Sequence, residues 1–307
     1  MSKIIPLNAR AYLAPKYWPL WLVFGLMRLS ALLPLRWSQA IGAGIGLLMY
    51  HLVASRRRVA RINIEQAYPD YTEAQVRQLN RACFRSLGIA FFEMSLAWYA
   101  PRDYLRSITV VDGKHNLDQA MANGKGVILL TGHFTTLEIG GALICLQVRM
   151  NGVYKKAHDP FFNAMMTHHR SNWGGNDLLE NNNVRGIIRG LRQGNATWYA
   201  PDQDFGDQDT VFTPFLGGMA STLTATARMA EMTGAAVVPF YQQRLENARG
   251  YKLVLMPALE NFPDEDIEVA SARINKAIED MVYANPEEYG WVHKRFKHRP
   301  PGEPSLY

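Results

Sequence analysis

The sequence predicts an α/β fold: a mixed central sheet flanked by helices, with an N-terminal membrane-associated helix ahead of it. Three observations predict it. Short apolar runs of strand length recur between residues 108 and 259, helical patterns fall between them, and a long apolar run fills residues 17–35. At 307 residues the chain is long enough for one large α/β domain or two modest ones. Lys and Arg number 33 against 27 Asp and Glu, a net charge of +6 that favours anionic partners: phospholipid, nucleic acid or a phosphorylated small molecule. The two cysteines, Cys83 and Cys145, stand in unrelated contexts, which fits neither a disulfide framework nor a zinc site.

The N-terminal run, "YWPLWLVFGLMRLSALLPL", extends from Tyr17 to Leu35 with one charge, Arg28. As a single helix it would reach roughly 27 Å, about the hydrocarbon thickness of a bilayer. Tyr17, Trp18, Trp21 and Trp37 read as interfacial anchors, and no cleavage site follows. Residues 1–55 are therefore expected to form a membrane-anchoring region, spanning the bilayer or lying in its interface, with a buried core helix as the competing reading. Arg28 favours a tilted or protein-covered helix over a centred, isolated one. Gly42 and Gly46 have the small-residue spacing that lets helices approach closely. Arg56, Arg57, Arg58 and Arg61 next to an apolar segment suit anionic headgroups. A nucleic-acid partner is not expected, because that reading ignores the apolar run just upstream.

Residues 72–100 read as a long helix, opened by Thr72 and Gln75 at capping-box spacing. Candidate strands follow in "ITVVDG", "GVILLTG", "LQVRMNGVYKK", "ATWYAPD", "AAVVPFYQQRL" and "YKLVLMPAL", the last of which could run antiparallel. Helical patterns cover 136–147, 160–170, 184–193, 221–232 and 268–284. No linker long or polar enough divides residues 60–307, and no repeat occurs. A serine hydrolase is excluded by the missing GxSxG motif. Dinucleotide binding is excluded because Gly42, Gly44 and Gly46 have the wrong spacing and no preceding strand. Asp202, Asp204, Asp207 and Asp209 resemble the start of a calcium loop, but Gly206 is one position early and no glutamate closes it.

The chemistry-bearing segment is "TGHFTTLEIGG", residues 131–141. His133 stands at the C-terminal end of the "GVILL" run, where open α/β sheets place their ligands. Within one continuous helix, His133 and Glu138 would point about 140° apart. They meet only if His133 lies in the turn that opens the helix. Glu138 would then accept from one ring nitrogen and leave the other free to take a proton, as a general base acting on an alcohol requires. A core or capping histidine remains the alternative at this point.

"HFTTLE", "VYKKAHDPFFNAMMTHHR", "LRQGNATWYAPDQDFG" and "YGWVHKRFKHRPPGEPSLY", in this order and spacing, resemble the late acyltransferases of lipid A biosynthesis in Gram-negative bacteria. The likeness runs from "YLAPKYWPLWL" to the last residue, and the H-x4-D/E signature is shared more widely with glycerolipid acyltransferases. The resemblance implies an inner-membrane enzyme of lipopolysaccharide biosynthesis facing the cytoplasm, with residues 56–307 as its acyltransferase catalytic domain. It implies transfer of a fatty acyl group from acyl carrier protein to the free hydroxyl of a hydroxyacyl chain on a Kdo-bearing lipid A precursor. No cofactor or metal is implied, the carrier thioester being a substrate, and no obligate oligomer is indicated. Carried onto this chain, the family's dyad falls on His133 and Glu138. Its arginine falls on Arg170 and its post-strand acid on Asp202, as residues that bind substrate or order the site. Arg185, Arg189 and Arg192 share one helix face, which is either a solvated basic face or a surface for the acidic carrier protein. The basic, aromatic ending with Lys294, Arg295, Lys297 and Arg299 suits headgroups or precursor phosphates. His168 and His169, just before Arg170, receive no role. A membrane-associated scaffold without catalysis, or an O-acyltransferase for another glycerolipid or glycolipid, is the alternative reading.

Overall fold

The computed structural model describes residues 4–175 and 177–307. Its regular elements are α1 (Trp18–Ser30), α2 (Leu35–Leu52), α3 (Ala54–Ala67), α4 (Glu73–Tyr99), α5 (Arg102–Ser107), β1 (Thr109–Asp112), α6 (Lys114–Ala122), β2 (Val127–Leu130), α7 (Leu137–Ile144) and β3 (Met150–Tyr154). They continue with α8 (Pro160–Ser171), β4 (Leu178–Glu180), α9 (Val184–Arg192), β5 (Ala196–Tyr199), β6 (Thr210–Phe215), β7 (Gly218–Leu223), α10 (Ala225–Thr233), β8 (Ala236–Arg244), β9 (Tyr251–Leu255) and α11 (Ile267–Ala284).

Among the described residues the main sheet has seven strands in the order β1-β9-β8-β2-β5-β3-β4. Every neighbouring pair is parallel except β8–β9, which a short loop joins and therefore runs antiparallel. This is the mixed sheet flanked by helices that the alternating pattern predicts. β2 lies at its centre and is covered on both faces. Ile128 and Leu130 pack into one layer with Phe84, Ile274 and Ile278, and Val127 and Leu129 into the other with Leu143, Phe161 and Phe240. Burial on both sides explains why β2 reads as an unbroken apolar run without alternation.

The N-terminal membrane-associated helix expected over residues 17–35 is not there. α1 has 13 residues, about 20 Å at 1.5 Å per residue, against roughly 30 Å of bilayer hydrocarbon. Among the described residues no helix is long and apolar enough to cross a membrane. Two features break the run. The backbone turns at Ala31–Leu33, and Pro34, which has no N–H to continue a helix, caps the start of α2. One face of α1 also belongs to the core: Phe24 and Met27 are buried, and the Phe24 ring meets Phe161 edge-on with centroids 5.2 Å apart. Arg28 lies over the Tyr99 ring, 5.8 Å from its centroid. Trp18, Leu22, Leu26 and Leu29 remain exposed on the opposite face.

α4 starts with the capping box read from the sequence. Gln75 N–H donates to Thr72 Oγ1 at 3.3 Å, and Thr72 N–H donates to Gln75 Oε1 at 2.8 Å. The helix then runs for 27 residues, and α2 lies directly against it. Gly42 and Gly46 on α2 face Gly88 on α4 with no room between the backbones. A Cβ on Gly46 would fall 2.0 Å from the Phe84 carbonyl oxygen, and one on Gly88 would fall 2.1 Å from that of Gly42. Two local expectations shift. The helix expected at 221–232 begins only at Ala225, because residues 218–223 form β7 of an antiparallel hairpin with β6. Its turn at Leu216 and Gly217 has positive φ at both positions, a two-residue geometry that "LGG" alone does not announce.

The α2–α4 contact gives a paired test. Gly46→Ala should cost about 1–3 kcal/mol, seen as a melting temperature lower by several degrees, because the methyl group meets backbone that cannot yield. Gly44→Ala, with nothing within 4 Å of its Cβ, should leave stability unchanged or raise it slightly.

Candidate active site

β2 and β5 are parallel neighbours, so the loops leaving their C-terminal ends emerge side by side. Thr131 N–H donates to the Tyr199 carbonyl at 3.1 Å and ties those two exits together. The first loop carries His133 and the second carries Asp202. His133 N–H donates to Asp202 Oδ2 at 2.8 Å, and His133 Nδ1 lies 2.5 Å from Asp202 Oδ1. An ionised carboxylate only accepts, so Nδ1 bears the proton and Nε2 keeps its lone pair. Tyr289 donates its hydroxyl to Asp202 Oδ2 at 3.0 Å.

Burial alone would push the Asp202 carboxyl up, but the charge of His133 and the hydrogen bonds from His133 and Tyr289 outweigh it and bring the pKa down to about 2. For His133 the balance is similar. Burial lowers the imidazole pKa, and the charge and hydrogen bond of Asp202 more than reverse this, leaving it raised. The result is an imidazole of fixed tautomer and added basicity, whose neutral form is suited to accepting a proton.

Glu138 has different partners from those its spacing suggests. It lies on the first turn of α7, where Trp98 Nε1 donates to Oε1 at 2.6 Å. Arg170 grips both of its oxygens, from Nε to Oε1 at 3.1 Å and from Nη2 to Oε2 at 2.5 Å. Among the described residues no hydrogen bond joins His133 to Glu138. The reason is geometric: α7 begins only at Leu137, so His133 stays in the loop beside the β5 exit while Glu138 turns towards α4 and α8. Glu138 and Arg170 thus form one buried pair, and Asp202 orders His133 directly. Arg170 is expensive to bury, and the Glu138 charge compensates, keeping the guanidinium firmly protonated.

The two histidines before Arg170 are part of this support. The His169 ring stacks on Trp98, with centroids 4.9 Å apart and planes 10° from parallel, and its Nδ1 donates to the Trp98 carbonyl at 3.1 Å. Burial, aided by His168, lowers its pKa to about 4, so it is a neutral plate behind the indole that holds Glu138. His168 Nδ1 donates to the Ile5 carbonyl at 2.8 Å and pins the N-terminal segment to α8.

His133 and Arg170 face one cleft of about 600 Å³, walled by Met150, Val153, Trp173, Trp198 and Tyr199. It follows β3 from Lys155 back to Met150, roughly 16 Å at about 3.3 Å per residue. Gly141 on α7 lets the walls close in, since a Cβ there would fall 2.4 Å from Trp198 and 2.6 Å from Trp173. The cleft has an apolar wall of Met150, Val153, Trp173 and Trp198, long enough for an acyl chain, and polar side chains, among them His133, Arg170, Asp177 and Gln203, line the rest. Cys145 also lines it, but burial pushes its thiol up to about 12, far from a nucleophilic thiolate. Among the described residues no group of three or more His, Cys, Asp or Glu side chains could hold a metal ion.

The basic residues singled out in sequence divide into two groups. Arg185, Arg189 and Arg192 are exposed on α9, whose buried side carries Ile187 and Leu191, and Val184 at the start of that helix lines the cleft. At the C-terminus Arg295 is buried, donating to the Ser221 carbonyl at 2.7 Å and to Thr222 Oγ1 at 3.1 Å. It is an internal strut, which takes Arg295 out of the set expected to meet headgroups or precursor phosphates. Asp204 is bonded to the Nδ1 of His298 and accepts its backbone N–H at 2.9 Å, so it fastens the C-terminal segment beside Asp202. Sequence reading assigned no role to Tyr289, the first residue of the "YGWVHKRFKHRPPGEPSLY" segment, or to Trp98, on the long helix read at 72–100, because their hydrogen-bond partners Asp202 and Glu138 lie far away in sequence.

A histidine–carboxylate pair opening onto a long cleft with an apolar wall suits a lipid-handling transferase, and the comparisons define the family. The family model for bacterial lipid A biosynthesis acyltransferases matches residues 6–298. The chain is 33% identical over 308 residues to the lipid A biosynthesis lauroyltransferase of Escherichia coli K12, covering 99% of each chain. It is 33% identical over 300 residues to the lipid A biosynthesis palmitoleoyltransferase of the same organism, covering 97% of each. A lipid A biosynthesis acyltransferase of Haemophilus influenzae is 32% identical over 302 residues, covering 96% of each. The chain belongs to the bacterial lipid A biosynthesis acyltransferase family, and it is an acyltransferase enzyme acting on lipid A-related substrates.

The Arg170–Glu138 pair sets an energetic expectation. Arg170→Ala strands a buried carboxylate and should cost about 3–5 kcal/mol in urea unfolding. Replacing both partners, Arg170→Met with Glu138→Leu, should recover most of that loss, since no charge is then left unpaired. Equal destabilisation by the single and double variants would show that the pair does not carry this energy.

Proposed function

We propose that the enzyme transfers a fatty acyl group from acyl carrier protein to the free hydroxyl of a hydroxyacyl chain on a Kdo-bearing lipid A precursor. The reaction takes place at the inner membrane, with the catalytic domain, residues 56–307, facing the cytoplasm. The observation that carries this reading is the His133–Asp202 pair, with His133 lining a long cleft that has an apolar wall. His133 Nε2 takes the proton of the acceptor hydroxyl as that oxygen attacks the thioester carbonyl. The new C–O bond forms, the tetrahedral intermediate collapses with loss of the C–S bond, and the imidazolium returns its proton to the departing thiolate. Asp202 orients the ring and stabilises its charge during the step.

Glu138 acts on the reaction through Arg170. By clamping the guanidinium it presents fixed positive charge to an anionic part of the substrates or to the developing oxyanion, where pre-set charge is worth most. A thiolate is a good leaving group, so direct transfer needs no acyl-enzyme, and the fully protonated Cys145 fits that view. The exposed Arg185, Arg189 and Arg192 stripe starts next to Val184, a residue of the cleft, and its charge suits an acidic carrier protein delivering the thioester.

Purified His133→Ala protein, assayed with acyl carrier protein thioester and lipid A precursor, should lose at least about 100-fold in acyl transfer while keeping donor binding. Transfer at a near wild-type rate would remove the general base from the mechanism. Charge reversal of Arg185, Arg189 and Arg192 together to glutamate should weaken carrier-protein affinity, most strongly at low salt. Affinity unchanged across salt concentrations would move the donor surface elsewhere.

A further inference from the structure

The reading of His133 as general base leaves open what holds Asp202 still. Oδ2 receives the backbone N–H of His133 at 2.8 Å, and the remaining donor to that oxygen is the Tyr289 hydroxyl at 3.0 Å. We infer, resting on the proposed function, that Tyr289 is a positioning residue for the reaction: its hydroxyl fixes the Asp202 carboxylate that orients the catalytic imidazole. Without it, both protein donors to Asp202 come from His133 itself, and the carboxylate and ring are free to shift as a unit.

Tyr289 is built in from several directions. Its ring meets Phe134 with centroids 5.6 Å apart and Trp291 with centroids 5.0 Å apart, both near edge-on. Its backbone pairs with Phe134, the residue after the base, through an isolated antiparallel bridge. The Cys83 thiol donates to its carbonyl at 3.5 Å. Gly290 permits the approach, because a Cβ there would fall 2.6 Å from the His133 carbonyl oxygen. Tyr289 is therefore coupled by backbone to the loop that carries the base and by its hydroxyl to the residue that orients it.

The phenol also tunes the carboxylate. A donor on Oδ2 withdraws negative charge from Asp202 and weakens its hold on the imidazolium. Removing the donor leaves a more basic carboxylate, which stabilises protonated His133 more strongly and raises the imidazole pKa further. The base is inactive while protonated, so its acid limb must move to higher pH. The other groups facing this cluster are His293, Arg295, Asp204, Tyr307 and, through His293, Arg56. Burial and the charge of His133 lower the His293 pKa, so it is neutral where His133 titrates. Arg295 remains a cation there, Asp204 is bound to His298, and Tyr307 is pushed up to about 12.

The test is the pH dependence of kcat and kcat/KM for acyl transfer from acyl carrier protein thioester to lipid A precursor, in the full chain. Wild-type protein should show its acid limb above the ordinary imidazole value of about 6.5. Tyr289→Phe keeps the ring and loses the hydroxyl. It should lower plateau kcat roughly tenfold, leave KM within about twofold, and move the limb upward by about half a pH unit or more. In an Asp202→Asn background the same substitution should add no further shift, since the two act in series. A limb that stays at its wild-type position in Tyr289→Phe, even with lower stability or kcat, overturns the inference and leaves Tyr289 a packing residue. Should Tyr289→Phe fail to fold, site-specific 3-fluorotyrosine at position 289 decides. Its stronger donor should move the limb to lower pH, and an unmoved limb again overturns the inference. Parallel assay of His133→Ala keeps the two levels apart. Activity retained there sinks the general-base reading, whereas activity lost there with an unmoved Tyr289→Phe limb sinks only the role of Tyr289.

Discussion

The Asp202 carboxylate, almost wholly buried, receives two hydrogen bonds from His133 and one from Tyr289 where β2 and β5 end side by side. A carboxylate in that position is costly unless its lone pairs are filled, and the donors come from two distant parts of the chain. The loop after β2 supplies two of them and the segment after α11 supplies the third. Meeting the needs of one acid therefore ties the centre of the sheet to the C-terminal end. The same bonds set the tautomer of His133 and leave Nε2 facing the cleft. Stability and chemistry rest on one set of contacts here.

Behind this edge, α4 works as a brace. Three of its side chains hold the loop and its surroundings at successive heights. Ser86 Oγ bonds Thr135 Oγ1 at 2.5 Å, Glu93 binds Arg244 through bonds of 2.6 and 2.7 Å, and Trp98 donates to Glu138. Arg244 lies 3.9 Å from Glu288, whose backbone carbonyl accepts from Thr135 at 2.7 Å. Two compact ion clusters result, Arg244 with Glu93 and Glu288, and Arg170 with Glu138. In both, each charge has a partner of opposite sign, and each cluster joins α4 to the sheet or to α8. α2 can lie directly on α4 only because Gly42, Gly46 and Gly88 carry no side chains there.

Much of this was legible locally. The capping box at Thr72, the strand runs, the position of His133 at the end of β2 and the glycine spacing on α2 are all short-range patterns. Their physics is complete within a few residues. The partner of His133 was not legible, because Asp202 reaches it through strand order: β5 must pair beside β2, and nothing near residue 133 encodes that. Glu138 looked like the partner from proximity in sequence, yet the start of α7 turns it away towards Arg170. The run at 17–35 misled for a related reason. Hydropathy counts apolar residues but does not register that Phe24 and Met27 belong to the protein interior or that the chain turns before Pro34. Tyr289 opens a segment that stood out in the sequence, yet nothing local tells its hydroxyl to bond Asp202, a contact that exists only in the assembled site.

The sheet order has a temporal consequence. β1, the first strand made, pairs with β9, and central β2 pairs with β8, so the registers Thr109↔Tyr251 and Val127↔Ala236 must wait until most of the chain is available. Contacts between residues so far apart in sequence are slow to form, because the long intervening loop must close before they are rewarded. During synthesis the ribosome would release a chain whose central strands are made but lack their neighbours, with apolar edges open to the wrong contacts. Only when the segment containing Tyr289 and Arg295 has emerged can Asp202 gain its last donor. A nascent chain stopped shortly before residue 289 would hold every strand described above yet have an unfinished active site.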